Sequence, residues 1–588
     1  MQRQQLTLDA AYKFALWYLL LCEAKDNQGQ TEECASHDAY VRHTAVSLIR
    51  ASLPRRTQRS CCLSGACGRN SLTHRTVHFG RPEVQPAQGE RDDVCQCLAH
   101  ATACVGRPVR LFLRDYISSA SLTGDRYGGL RCMLRHIPLE CVTFSSIPDP
   151  RDAQHVVDEL GAVLKSGAGR LLRLSLGGFP AYVRIAPLLQ AMTLHDTVTE
   201  LRLEDCGIQD VSVVVCHMRA SMRLRRLSLR GNHGISDGMP ALALAVAASA
   251  CLLSLDVGLC RLRDEHLEVF LRHLQGFAVR ARFVLDASSN VLSNACFADL
   301  RDAPAAFRET LSELDLSGHN FSNGGDAAAA TLTELPALTG LVLNQCELGP
   351  RDMQRLCRVL SQKERQWRQL SFRGNALTVP DMKRLTLASF AADSCLCVAG
   401  NNISAGVPKL GLASVLPLLR ELDLSLCDIG DEGVQQLASG LEKAQPLALR
   451  VLRLDGNGIG VEGKKGRGGV QFLGRALRAS HAPALELLSL AHNRLALRPL
   501  LTLVEQVACT LRELHVSYSS VATDGDELAE LVGRIVRRQK SGSHAFLQLD
   551  VWALHPPDTD ATRGTAAGAA MAAWLEGQRS LRVITEAR

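Results

Sequence analysis

The stretch from Leu419 to Ile459, LRELDLSLCDIGDEGVQQLASGLEKAQPLALRVLRLDGNGI, constrains the fold more than any other part of the chain. Leu419, Leu422 and Leu424 recur as Leu449, Leu452 and Leu454, in the pattern L-x-x-L-x-L. A small polar or sulfur residue follows at a fixed offset, Cys427 and then Asn457, and an apolar residue follows that, Ile429 and then Ile459. Between the two copies, Val434, Leu437, Ala438 and Leu441 fall at the spacing of one helix face, with Asp431 placed to cap the start. One copy therefore reads as a short strand, a sharp turn and a returning helix, with a period of roughly 28 residues.

In such a strand the leucines point to one side and the residues between them to the other. The leucines and the apolar helix stripe form the core. One unit cannot cover its own core, so units must stack. The fold class expected is α/β: a solenoid curved into a horseshoe, with parallel strands on the concave face and helices on the convex face. At the turn, an asparagine side chain can bond backbone groups left unpaired, and a cysteine does so more weakly while filling space.

Further copies carry Leu171, Leu174 and Leu176; Val198, Leu201 and Leu203; Leu224, Leu227 and Leu229; and Leu252, Leu255 and Val257. A weaker copy holds Leu285 and Ala287. Next come Leu311, Leu314 and Leu316; Leu338, Leu341 and Leu343; and Trp367, Leu370 and Phe372. A second weak copy holds Leu396 and Val398, and beyond the opening stretch lie Leu485, Leu488 and Leu490, then Leu511, Leu514 and Val516. Leu111 with Leu113, and Leu139, Val142 and Phe144 with a helix over Ala153 to Leu164, start the array; Leu547 and Leu549 end it. The total is roughly thirteen to fifteen units, well above the three or so that a stable stack needs. The organisation expected is a flank over 1–106, the array over 107–556 and a terminal cap over 557–588. In that cap Thr565 to Gly577 reads as a helix whose Trp574 covers the last unit, and Leu581, Val583 and Ile584 add a short strand.

A chain of 588 residues would suggest several globular domains, but an array grows by addition. A net charge of +6 on this length argues for neither nucleic acid nor a membrane surface as partner. The 21 cysteines would suggest disulfides in a small secreted domain. Here Cys206, Cys260, Cys346 and Cys427 share one slot with Asn232, Asn290, Asn375, Asn401, Asn457 and Asn493. A cysteine that exchanges with asparagine is a packing residue, and the reading is a reduced, intracellular protein. The run Ala10 to Cys22 reads as a buried or partner-binding helix rather than a signal core, because Lys13 interrupts it and EAKD follows. Cys61, Cys62, Cys67, Cys95, Cys97, His74 and His78 lack the paired C-x-x-C spacing of a zinc site. Arg55, Arg56 and Arg59 read as a solvated surface.

The long copies, with asparagine and cysteine sharing a slot in the succession Cys206, Asn232, Cys260, Asn290, resemble the ribonuclease-inhibitor-like class of leucine-rich repeats. The resemblance covers about three quarters of the chain. It departs at Phe179, at His319 or Asn320, and at Ser519. It implies the fold but spans inhibitors, activators of Ran-type GTPases, immune sensors and cytoskeletal or ciliary scaffolds, and fold does not choose among these.

Gly458, Gly463 and Lys464 satisfy G-x-x-x-x-G-K, but Lys465 stands where a phosphate-binding loop needs Ser or Thr. The better reading is an insertion, with KKGRGG (Lys464 to Gly469) as a basic bulge and candidate contact point. No G-x-S-x-G or H-E-x-x-H is present. No catalytic residue, cofactor or metal is expected.

What remains is the strand face. Near its start it carries Arg173, Arg202, Arg226 and Arg230, mixed with Glu200 and Glu204. From the fourth clear copy it carries Asp256, Asp286, Glu313, Asp315, Glu421, Asp423, Asp455 and Glu513, with Arg373, Arg453 and His515. The function expected is a non-enzymatic cytoplasmic scaffold that binds a protein partner, basic in character, through Arg226, Arg230 and this acidic series, without small-molecule substrate, nucleic acid or transmembrane segment. The alternatives are a Ran-type GTPase activator, with Asn232 as a polar loop group, and a cytoskeletal or flagellar structural component.

Overall fold

The computed structural model describes 75–79, 109–114, 139–145, 150–518 apart from short stretches, 547–553 and 581–584. The stretches left out are 166–170, 181–182, 195, 279–280, 363–364, 404–411, 445–446, 461–468, 479–483, 494, 496–499, 501, 504–505, 508–510 and 512. The readings of Ala10 to Cys22, of the arginine and cysteine clusters, of the helix bearing Trp574, of Ser519 and of the bulge Lys464 to Gly469 short of its last residue lie outside the described residues.

The chain divides into two compact units, Met1–Arg280 and Ala281–Arg588. In unit 1 the strands are β1 (Arg75–Phe79), β2 (Val109–Arg114), β3 (Leu139–Ser145), β4 (Arg173–Gly177), β5 (Glu200–Glu204), β6 (Arg226–Ser228) and β7 (Ser254–Asp256). Each pairs in parallel with the next. The ladder thus includes a strand inside the stretch read from sequence as flank. Helices α1 (Pro150–Lys165), α2 (Ala186–Thr193), α3 (Ser212–Ala220), α4 (Met239–Ala248) and α5 (Asp264–Arg272) alternate with the later strands and pack neighbour on neighbour.

Unit 2 repeats the plan. Its strands are β8 (Phe283–Asp286), β9 (Leu311–Asp315), β10 (Gly340–Val342), β11 (Trp367–Ser371), β12 (Phe390–Cys397), β13 (Leu419–Asp423), β14 (Val451–Arg453), β15 (Leu487–Leu490), β16 (Glu513–Tyr518), β17 (Leu547–Ala553) and β18 (Leu581–Ile584), again parallel throughout. Its main helices are α6 (Ala295–Asp302), α7 (Ala305–Arg308), α8 (Gly325–Thr333), α9 (Pro350–Leu360), α10 (Val379–Leu385), α11 (Gly430–Lys443) and α12 (Gly469–Ala476).

The middle leucine of each copy forms the spine. In unit 1, Val142, Leu174, Leu201, Leu227 and Leu255 stand in register, all buried. In unit 2 the column runs Leu285, Leu314, Leu341, Leu370, Leu396, Leu422, Leu452, Leu488 and Leu514. Each such side chain contributes about 2–3 kcal/mol on burial. The two weak copies prove complete, because aromatic residues fill their first slot: Phe283 and Phe390 are buried there. In β12, Trp367 pairs with Phe390 but Gln369 with Cys395, so the strand bulges, and Asp393 within the bulge takes φ +62°. That insertion leaves Leu396 and Val398 as the copy's only markers in the sequence.

The turn after each strand has one backbone rule. Gly178, Asp205, Gly231 and Leu259 in unit 1 all take positive φ, between +51° and +77°. So do Ser289, Gly318, Gln345, Gly374, Gly400, Leu426, Gly456 and His492 in unit 2, over the same range. Each lies one residue before the shared slot. A non-glycine there leans on the next copy. A Cβ built on Gly231 would fall 1.8 Å from Asp205 Oδ1, and one on Gly456 would fall 2.4 Å from Leu426 Cδ2. At these two positions bulk in one copy therefore requires glycine in the next, whereas Leu259 is followed by Ser289.

The slot itself joins consecutive copies. Asn232 is fully buried; its Nδ2 donates to the Leu203 and Leu229 carbonyls (both 2.7 Å), and its Oδ1 accepts from the Cys206 and Ile208 amides (3.1 and 3.0 Å). Asn375, Asn457 and Asn493 repeat this pattern. Cysteine supplies only the donor half: Cys427 Sγ lies 3.3 Å from the Val398 carbonyl and 3.4 Å from that of Ser425. The departure in LSGHNF resolves in favour of His319, whose Nδ1 bonds the Leu316 carbonyl (2.9 Å) while Nε2 accepts from the Asn290 amide (3.0 Å). Phe179 fills the first slot by packing alone.

Candidate partner-binding face

On the strand face, the residue before each middle leucine forms one row and the residue after it a second. In unit 2 the first row reads Val284, Glu313, Gly340, Gln369, Cys395, Glu421, Val451, Leu487 and Glu513. The second reads Asp286, Asp315, Val342, Ser371, Cys397, Asp423, Arg453, Ser489 and His515. Asp286, Glu313, Asp315, Glu421, Asp423, Arg453, Asp455, Glu513 and His515 are half-buried, and Arg373 is exposed, as expected for side chains on this face.

The acidic series is not one continuous surface. Asp286, Glu313 and Asp315 gather on β8 and β9, and Glu421, Asp423 and Asp455 on or just beyond β13 and β14. The three strands between carry Gly340, Gln369 and Cys395 in the first row and Val342, Ser371 and Cys397 in the second. At the usual strand separation the two patches lie about 19 Å apart along the sheet. The sequence reading picked out the acidic residues without the uncharged positions between them.

Several of these carboxylates also hold the backbone. Asp286 Oδ1 accepts from the Ser288 amide (2.9 Å), Asp315 Oδ1 from Ser317 (2.9 Å) and Asp423 Oδ1 from Ser425 (3.0 Å), each closing the turn two residues on. Asp256 does the same for Gly258 in unit 1 (2.9 Å). Asp455 instead reaches the next copy, accepting from the Ala491 amide (2.8 Å) and the Ser489 hydroxyl. Glu313 and Glu421 make no such backbone bond among the described residues. Arg420 lies 3.5 Å from Glu421, so part of that negative charge is already answered, and His515 lies 3.5 Å from Glu513.

The strand face of unit 1 differs in sign. Arg173, Glu200 and Arg226 are register partners on β4, β5 and β6, and Arg202 stands two residues from Glu200. Arg230 lies 3.9 Å from Asp256, which also accepts from the Ser228 hydroxyl (2.9 Å).

Two sequence readings change. Asn232, offered as a polar loop group for a GTPase, is fully buried and engaged at both amide atoms, so it has nothing to present to a partner. Asp431 does not cap its own helix; α11 starts after Ile429 without a side-chain cap. Asp431 Oδ1 instead accepts from the Gly460 and Gly469 amides of the next copy (3.1 and 2.7 Å), closing both ends of 461–468. A carboxylate thus sits at the start of α12.

The slot cysteines are unbridged. Burial pushes the thiols of Cys206, Cys260 and Cys427 up to about 12 and that of Cys346 up to about 11, so they stay protonated as donors. No group of three or more metal-ligating side chains occurs among the described residues, and no described helix is long and apolar enough to cross a membrane.

Parallel strands alternating with helices, a leucine spine and an Asn/Cys turn slot define an α/β leucine-rich repeat solenoid. A family model described as "Leucine Rich repeat" matches residues 415–438. Mouse (Mus musculus) ribonuclease inhibitor is 27% identical over 333 residues, covering 54% of this chain and 70% of that protein. Mouse NACHT, LRR and PYD domains-containing protein 12 is 28% identical over 304 residues, covering 47% of this chain and 27% of that one. The crystal structure of a TLR13–ssRNA13 complex aligns over 82% of this chain and 62% of its own at 14% identity, with a TM-score of 0.31, too low to bear on shape or function. These findings support a leucine-rich repeat protein similar to ribonuclease inhibitor.

Proposed function

We propose that this chain is a non-enzymatic cytoplasmic scaffold that holds a protein partner on its strand face, and that unit 2 receives a basic partner. The observation that carries the reading is the pair of half-exposed acidic patches on β8–β9 and β13–β14, separated by three strands whose two rows are uncharged and beside which the exposed Arg373 stands. Carboxylates so placed steer a positively charged surface into one register, and the neutral stripe gives it a place to exclude water. The mouse relative named as an inhibitor of ribonuclease supports a role exercised on another protein. The charge pattern supports association through complementarity rather than chemistry.

The test is proximity labelling from the tagged chain in its own cells, compared with a variant carrying Glu313→Lys and Glu421→Lys. These two positions carry charge without holding a turn, so the variant changes the surface and leaves the backbone bonds in place. Neighbours lost in the variant are partners of the acidic patches. An unchanged set of neighbours refutes the assignment to unit 2.

A further inference from the structure

We infer that the strand face of unit 1 is a second recognition surface, built around Glu200, that takes an Asp- and Glu-rich segment of a partner protein. It rests on the reading that strand faces are the binding faces of this chain.

Glu200 is the organising residue. Its side chain is 11% exposed, yet it sits among three arginines that are 46%, 50% and 58% exposed: Arg173, Arg202 and Arg226. Arg202 binds Oε1 through both Nε (2.8 Å) and Nη2 (2.7 Å). Arg173 Nε and Arg226 Nη1 approach Oε2 from the two flanking strands, at 3.6 and 3.8 Å. One carboxylate thus gathers three guanidiniums and neutralises one of them. The patch keeps two net positive charges, and most of the fork-like N–H donors stay turned to solvent.

A guanidinium held by a buried partner gives up less side-chain freedom when it binds again. That is the arrangement a receptor for carboxylates needs. Arg173 and Arg226 stand two strands apart, about 10 Å at the usual strand spacing. A polyproline II segment advances about 3.1 Å per residue with three residues per turn, so acidic side chains three residues apart share one side at about 9 Å, close to that separation. A peptide crossing the strands would present one carboxylate to Arg173, the next to Arg226, and its backbone to Arg202. Ser175, Ser228, Ser254 and Asp256 fill the remaining positions of the two rows, with Asp256 held by Arg230 and the Ser228 hydroxyl; Glu204 stands at the end of β5, and no aromatic ring stands among the strand-face positions of β4 to β7. A single-stranded nucleic acid would lack the stacking platforms on which its bases rest.

The probe is a fluorescein-labelled peptide of repeated Glu-Ser-Ser, titrated into the full-length protein by fluorescence anisotropy. Its Lys-Ser-Ser counterpart and a labelled oligo-uridine RNA serve as comparisons. The Glu peptide is expected to bind. The Arg173→Ala, Arg226→Ala double variant is expected to weaken it about tenfold or more, in the range seen when charge pairs at an interface are removed. Arg373→Ala with Arg453→Ala, in unit 2, is expected to leave it unchanged. Absence of binding, equal binding by the unit 1 double variant, or tighter RNA binding lost in that same variant overturns the inference. The unit 2 proposal has its own residues and its own readout, so either can fail without the other.

Discussion

Replacing Asn457 by alanine should destabilise the copy before it more than its own. The side chain donates from Nδ2 to the Leu424 carbonyl (2.8 Å) and accepts at Oδ1 from the Cys427 and Ile429 amides (3.0 and 3.4 Å). All of these groups are buried, so deletion strands one carbonyl and at least one amide. An unsatisfied buried group costs about 1–3 kcal/mol, which gives about 2–6 kcal/mol for Asn457→Ala. Asn457→Cys keeps a weak donor for the carbonyl but leaves the amides without an acceptor, and should cost about 1–3 kcal/mol. Cys427→Ala removes only a thiol and a little volume, and should cost about 1 kcal/mol. Repeat arrays need not unfold in one step, so native-state hydrogen exchange is the better assay. Asn457→Ala and Asn457→Cys should both expose the Cys427 and Ile429 amides to exchange, while Cys427→Ala should leave Ile429 protected. Equal effects from all three variants would refute the hydrogen-bonding role and make the slot a matter of packing.

Gly456→Ala combines φ +61° with a Cβ 2.4 Å from Leu426 Cδ2, and should cost about 1–2 kcal/mol; Leu426→Ala in the same chain should recover the steric part, read from a double-mutant cycle in denaturant. His217 is buried with neither ring nitrogen hydrogen-bonded, and desolvation lowers its pKa despite the nearby Asp196 carboxylate and Leu189 carbonyl. The unfolded chain therefore binds the proton more readily, so stability present above about pH 6.5 falls as the pH drops toward the folded-state value. His217→Leu should flatten that dependence in thermal melts taken across the range. Asp431→Ala frees the Gly460 and Gly469 amides, and limited trypsin digestion should then cut faster after Lys464 and Lys465. In the native protein, a maleimide should label the exposed Cys216 well before Cys206, Cys260, Cys346 or Cys427.

The fold was legible because leucine at a fixed spacing reports both the strand and the side it buries. The strands of the strong copies, the helix face of Val434, Leu437, Ala438 and Leu441, and the shared Asn/Cys slot all stand where the pattern put them. The weak copies were harder to read because Phe283 and Phe390 fill a leucine slot, and the second sits across a bulge. The pairing of bulk with glycine before the slot depends on contacts between copies, which no single period displays. The face was legible as a set of outward positions, but the role of each charge was not. Asp315 and Glu313 look alike in sequence, yet one closes a turn through the Ser317 amide and the other does not. Asp431 looked like its own helix cap because a first-turn acid commonly is one; the amides it serves lie in the next copy.

The most direct test of the central claim is photo-crosslinking from chosen positions in the full chain inside its own cells. A photoreactive side chain at Glu313 or Glu421 samples the strand face of unit 2, and one at Arg355 or Gln435 samples the exposed helix face of the same unit. The account predicts a discrete protein adduct from the two strand-face positions and none from the helix face. An adduct from Arg355 or Gln435, with silence at Glu313 and Glu421, would contradict it.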